Sequence, residues 1–139
     1  MAEGFKETFS IVAGDYAAAG EASARIKALL KMIGIDPVVV RRVTVAAYEA
    51  EMNIIIHSHG GKMTFSVTPE AIALHCTDTG PGIENIDQAM QEGYSTAPSS
   101  VRMMGFGAGM GLPNIKRNTD TLEIRSDSGG TVLDMSFHL

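Results

Sequence analysis

The chain has 139 residues, 45% of them hydrophobic and 19% charged, with a formal net charge of −5. That suits a single core-forming domain over residues 1–139 and excludes a disordered tail protein. Lys and Arg number 11 against 16 Asp and Glu, a balance that argues against a broad basic face for nucleic acid. The single cysteine rules out an internal disulfide and fits a reducing compartment. No apolar run reaches the ~18 residues of a bilayer span. Met1 to Lys6 lack a basic-then-apolar leader pattern, so the expectation is a soluble cytoplasmic domain with no membrane partner.

Phe5 to Val12 alternates loosely, with Phe5, Phe9 and Ile11 on one side, and reads as a strand. Tyr16 to Ile33 is rich in Ala, Lys and Leu. Ile26, Leu29, Leu30 and Ile33 recur at helical spacing, and Gly34 is a stop signal. Asp36-Pro37 reads as an N-cap followed by proline in the first turn of a second helix, which runs to about His57. Lys62 to Val67 and Ala71 to Thr77 are two strands around a turn at Thr68-Pro69-Glu70. Asp78 to Gly111 has little periodicity and many glycines, with at most a short helix near Asp87 to Glu92. Pro113 to Asn118 opens another helix, and Leu122 to Arg125 and Thr131 to Phe137 close the chain as a hairpin. This order predicts an α+β, two-layer sandwich: a mixed, mostly antiparallel sheet with helices on one face. The Asp78 to Gly111 stretch exceeds the ~12–15 residues of ordinary connections, which favours a binding loop.

Three clusters carry chemistry. Glu49, Asn53 and His57 follow at intervals of four and share one stripe of the second helix, beside an apolar stripe of Val45, Tyr48, Met52 and Ile56. A carboxylate there can act as a base, and an amide oxygen can ligate Mg²⁺. Taken alone, the pair reads first as the polar border of an ordinary amphipathic helix. Glu51 points the other way and is expected to face solvent. Asp78 falls on the same strand face as Ile72, Leu74 and Cys76, so its carboxylate should point toward the helix layer. It needs a donor there, either a ligand amine or backbone amides in an Asx turn. Cys76 reads as core. Gly105, Gly107, Gly109 and Gly111 alternate directly before a helix, where bare amides and the helix dipole favour a phosphate. No Lys-Ser/Thr follows the run, so it is not a P-loop. Met110 stands where a dinucleotide fingerprint needs glycine.

The order Glu49-x-x-x-Asn53, Asp78-Thr79-Gly80-Pro81-Gly82, Gly105 to Gly111, and Gly130-Thr131 resembles the Bergerat-type ATP-binding domain of gyrase, heat-shock chaperones, histidine kinases and mismatch-repair proteins. The resemblance runs from about Phe5 to Leu139. Within that superfamily the chain is most similar to the small bacterial anti-sigma-factor and stress-switch serine/threonine kinases, on Asp78 to Ile83, Gly93-Tyr94-Ser95-Thr96, Gly107-Ala108-Gly109 and Leu112-Pro113. The resemblance implies ATP and Mg²⁺ as cofactors. It implies Asn53 as the metal ligand, Glu49 as catalytic base and Asp78 as acceptor for the adenine amine. Gly80 and Gly82 would shape the base pocket, and Thr131 would back Asp78. Gly105, Gly107, Gly109 and Gly111 would cover the phosphates, with Ser95 and Thr96 in the same lid. A sigma factor or an anti-anti-sigma-type antagonist would be the partner, and homodimers are common in that family. The alternative is a nucleotide-gated binding module, or weak ATPase, whose Met103-Met104 pair meets a partner.

Overall fold

The computed structural model describes residues 4–83, 86–91 and 111–139. Strand β1 spans Phe5–Ile11, followed by a 3-10 turn at Tyr16–Ala18. Helices α1 (Glu21–Met32) and α2 (Pro37–His57) lead to strands β2 (Gly61–Val67) and β3 (Ala71–Thr79). A single turn α3 (Ile86–Ala89), helix α4 (Gly111–Asn118) and the hairpin β4 (Thr121–Asp127) and β5 (Gly130–His138) complete the described chain. The fold is α+β. Its sheet has the order β1-β2-β3-β5-β4, and all four pairings are antiparallel.

The register aligns the core residues in rows across the sheet. Val67 faces Ile72, which faces Phe137; Phe65 faces Leu74, which faces Met135; Met63 faces Cys76, which faces Leu133. All nine are buried, and α1, α2 and α4 cover them with Ile26, Leu30, Val43, Ala46, Ala47, Ala50, Ile54 and Ile115. Each large apolar side chain removed from water here contributes roughly 1.5–3 kcal/mol. Burial pushes the Cys76 thiol up to about 12, which keeps it protonated and unreactive, in keeping with a packing role.

Local signals account for most boundaries. Asp36 accepts the Val38 N–H at 2.8 Å with Pro37 in the first turn. At the other boundary, Gly34 and Ile35 donate back to Lys31 and Leu30 and close α1. Ile33 follows the helix as its C-cap and is exposed, so the expected stripe ends at Leu30. The helix expected over Tyr16 to Ile33 is instead a 3-10 turn and α1, parted at Ala19-Gly20. Asp15 accepts the Ala18 N–H and holds the first piece.

The second piece is held from elsewhere, and here the solvent-facing expectation for Glu51 is wrong. Glu51 is 2% exposed. Its Oε2 accepts from Gly20 N–H (3.0 Å) and Ala22 N–H (3.3 Å), and its Oε1 from Ser23 N–H (3.1 Å). A carboxylate on α2 thus caps the start of α1, whose own N-cap, Gly20, supplies no side chain. The expected apolar stripe of α2 is also out of phase. Tyr48 is exposed, Val45 and Ile56 are half-buried, and only Met52 of that set is buried. The buried line runs through Val40, Val43, Ala47, Ala50 and Ile54, whose small members let α1, α4 and the sheet approach. No helix among the described residues is long and apolar enough to cross a membrane.

Removing the Glu51 carboxylate leaves three amide donors at the start of α1 without their acceptor. Hydrogen bonds to a charged group contribute ~1.5–3 kcal/mol each and are not additive. Glu51→Ala should therefore lower the unfolding free energy by roughly 2–4 kcal/mol in urea titration. A change within about 0.5 kcal/mol, the usual range for a surface site, would refute the capping role.

Candidate functional site

The core rows of the sheet continue by one more step, and that step is polar. Gly61 faces Asp78, Asp78 faces Thr131, and Thr131 faces Ser126. Period-two alternation places Asp78 on the face of Ile72, Leu74 and Cys76, as the sequence predicts. Its Oδ1 accepts the Thr131 N–H at 3.1 Å. Burial raises the Asp78 carboxyl above the ordinary range, and the Thr131 N–H opposes that rise. The backbone donor comes from across the sheet and not from a local Asx turn.

Thr131 is buried, and its hydroxyl lies 2.9 Å from Ser126 Oγ. Ser126 Oγ also accepts the Ile83 N–H at 2.7 Å. Ser126 therefore ties the segment after β3 to the β4–β5 hairpin. Sequence reasoning missed it, although the alternation of Leu122, Ile124 and Ser126 along β4 places it on the inner face. The same segment needs its glycines. Gly82 has φ +75, and a Cβ there would sit 2.0 Å from the Asp127 carbonyl oxygen. A Cβ on Gly130 would sit 2.0 Å from the Asp78 carbonyl oxygen. Gly80 lies against Ser58, just past the end of α2, with room for no more than a tight Cβ contact at 3.1 Å. Asp78 is thereby held near the C-terminal end of α2.

The second cluster lies on α2 itself. Asn53 and Glu49 sit about 6 Å and about 12 Å back along the helix from His57, at 1.5 Å per residue. Both are half-buried. Their oxygens converge on the first residue of α4: a Cβ on Gly111 would lie 3.5 Å from Asn53 Oδ1 and 3.6 Å from Glu49 Oε1. The other Glu49 oxygen, Oε2, accepts from Asn114 Nδ2 at 3.0 Å. Asn114 was absent from the sequence-based set. No local pattern marks it, because its partner lies 65 positions away in the chain.

The structure thus joins Glu49, Asn53 and Gly111 in one cluster and Asp78, Thr131, Gly80 and Gly82 in another. Ser95, Thr96, Gly105, Gly107 and Gly109 lie outside the described residues, as does the Met103-Met104 pair. Acceptor oxygens beside a bare glycine suit a hard cation. An inward carboxylate with one backbone donor suits a ligand N–H.

Comparison with known proteins gives the chain's relatives. The profile of a family described as a histidine kinase-like ATPase domain matches residues 12–137. The chain is 32% identical over 117 residues to an anti-sigma F factor of Clostridium beijerinckii, covering 78% of each chain. It is 30% identical over 125 residues to an anti-sigma F factor of Pasteuria penetrans, covering 83% of this chain and 80% of that one. It is 29% identical over 103 residues to the serine/threonine-protein kinase RsbT of Bacillus subtilis, covering 71% of each.

The raised Asp78 carboxyl has a stability consequence. The folded state holds the Asp78 proton more tightly than the unfolded chain does, so ionisation costs stability. That cost is absent below the ordinary carboxylate value of about 3.9 and develops as pH rises through the higher folded-state value. Asp78→Asn keeps an acceptor for the Thr131 N–H and removes the charge. It should match or exceed the parent in stability at neutral pH and flatten the pH dependence above about 4. A variant less stable at neutral pH than the parent, by denaturant titration, would contradict the burial argument.

Proposed function

Because the chain belongs to the histidine kinase-like ATPase domain family, we propose that it is a partner-switching protein kinase. In this reading it binds ATP with Mg²⁺ and transfers the γ-phosphoryl group to a serine or threonine hydroxyl of a small antagonist protein. Its regulatory target is a sigma factor. The observation that carries this reading is the convergence of Glu49 Oε1 and Asn53 Oδ1 on the bare start of α4. The same chain also holds Asp78 on the inner sheet face with one N–H donor.

Asn53 offers a hard oxygen donor beside Gly111, where no side chain stands in front of it, and an amide oxygen fits Mg²⁺. Asn53 would hold the ion through its amide oxygen. When bound, Mg²⁺ neutralises charge on the phosphates and draws them into register. Asp78 accepts from the exocyclic amine of adenine through the oxygen not turned to Thr131. Thr131 and Ser126 keep that carboxylate in place. Glu49 takes the proton of the attacking hydroxyl as its oxygen bonds to the γ-phosphorus. The bond to the β-phosphate oxygen breaks, and ADP leaves with that electron pair. The protein's contribution is chiefly orientation and charge complementarity.

Isothermal calorimetry with ATP and Mg²⁺ should give saturable binding, weakened ~10-fold or more by Asp78→Asn, because a site built to accept an N–H pays for losing that match. Glu49→Ala should bind ATP as the parent does yet transfer labelled γ-phosphate to a cognate antagonist at least ~10²-fold more slowly. Absence of heat with the parent would overturn the nucleotide reading. Undiminished transfer by Glu49→Ala would overturn the base assignment alone.

A further inference from the structure

We infer that Asn114 is a positioning residue that selects which oxygen of Glu49 receives the proton. The inference rests on the reading of Glu49 as base. Three groups on two helices form a directed chain. Arg117 Nη2 donates to Asn114 Oδ1 at 2.7 Å, and Asn114 Nδ2 donates to Glu49 Oε2 at 3.0 Å. A guanidinium can only donate, so the amide oxygen must face Arg117. The amide NH₂ must then face Glu49. The amide orientation follows from the donor chemistry of Arg117 and not from the outline of the group, which is nearly symmetric.

The consequence for Glu49 is asymmetry. Oε2 is an acceptor held by an N–H donor and disfavours a proton on that atom. Oε1 is the oxygen beside Gly111 and Asn53 Oδ1. The terminal torsion of a glutamate is broad and two-fold, so an unheld carboxylate samples both orientations. Asn114 removes that freedom. Its own place is set by α4, whose Leu112, Pro113 and Ile115 are buried, and its main-chain oxygen accepts from Asn118 Nδ2 at 2.7 Å. The base is therefore oriented by a different helix from the one that carries it.

Two variants separate this role from a merely structural one. Asn114→Asp keeps the shape and the acceptor for Arg117, and on α4 it creates an ion pair at (i, i+3) that would favour the helix. It also sets two carboxylates against each other at Glu49. A structural role predicts that Asn114→Asp is at least as active as Asn114→Ala. A positioning role predicts the reverse order. With ATP, Mg²⁺ and the cognate antagonist, kcat for ADP formation should fall ~10-fold in Asn114→Ala and ~10²-fold in Asn114→Asp, the range of a lost or inverted hydrogen bond to a charged group. The calorimetric Kd for ATP should stay within about two-fold in both. In a Glu49→Gln background, Asn114→Ala should cost nothing further.

A second measurement needs no turnover. The side-chain amide resonances of Asn114, identified by their loss in Asn114→Asp, should shift in Glu49→Ala and exchange faster with solvent. Equal rates for the parent and Asn114→Asp, a Kd that worsens in step with kcat, or amide resonances unmoved by Glu49→Ala would each overturn the positioning role alone. Parent protein that binds no ATP–Mg²⁺, or binds it and forms no ADP with the antagonist present, overturns the kinase reading, and the positioning role falls with it.

Discussion

The arrangement depends on one constraint: a sheet face that is apolar for three rows and polar on the fourth. Val67, Phe65 and Met63 and their partners on β3 and β5 fill the first three rows. Gly61, Asp78, Thr131 and Ser126 make the fourth. Strand alternation gives Asp78 no choice of side, since turning it out would turn Ile72, Leu74 and Cys76 out with it. The burial that stabilises those three therefore forces a carboxylate against the helix layer. Thr131 N–H compensates it in part, and Ser126 ties the neighbouring loop to the same point. A group held inward at such a cost is available to a ligand that can complete it.

Helix α2 organises the rest because both of its flanks are covered. Glu51 and Glu49 are two residues apart and project to opposite sides. Glu51 is consumed by the start of α1, where it accepts from three backbone amides. Glu49 meets α4, where it accepts one side-chain donor and keeps its other oxygen toward Gly111 and Asn53. Two identical side chains thus meet different surroundings according to what packs beside them: one is closed off by backbone donors, the other keeps an oxygen open. The alanines of α2 make this geometry available, since Ala46, Ala47 and Ala50 are almost fully buried and bring three neighbours close.

The fold was largely legible. Gly34, Asp36 and Pro37 punctuate the helices by local backbone chemistry, and alternation assigned the inner face of β3. The site was legible where one element carried it: Glu49 and Asn53 share a helical stripe, and Asp78 follows its strand. Legibility failed at Glu51, Tyr48, Ser126 and Asn114. A helical period says which residues share a face and is silent about what covers that face. Tyr48 counted as core by polarity and is exposed, while the alanines that form the buried line carry little hydrophobic signal. Glu51 counted as solvent-facing because charge ordinarily is, yet a helix start supplied the donors that make burial affordable.

By itself the sequence determined the element order, the inward side of Asp78 on its strand and the acid–amide stripe of α2, because these follow from chain geometry at short range. Tertiary structure alone decided that Glu51 caps α1, that Asn114 grips Glu49, and that Ser126 secures Ile83. Those contacts join positions 28, 65 and 43 apart, so they exist only once the helices have docked on the sheet. The physical reason is directional. A hydrogen bond needs its donor within about 3 Å and suitably aimed, and no periodicity along one segment encodes where another segment will lie.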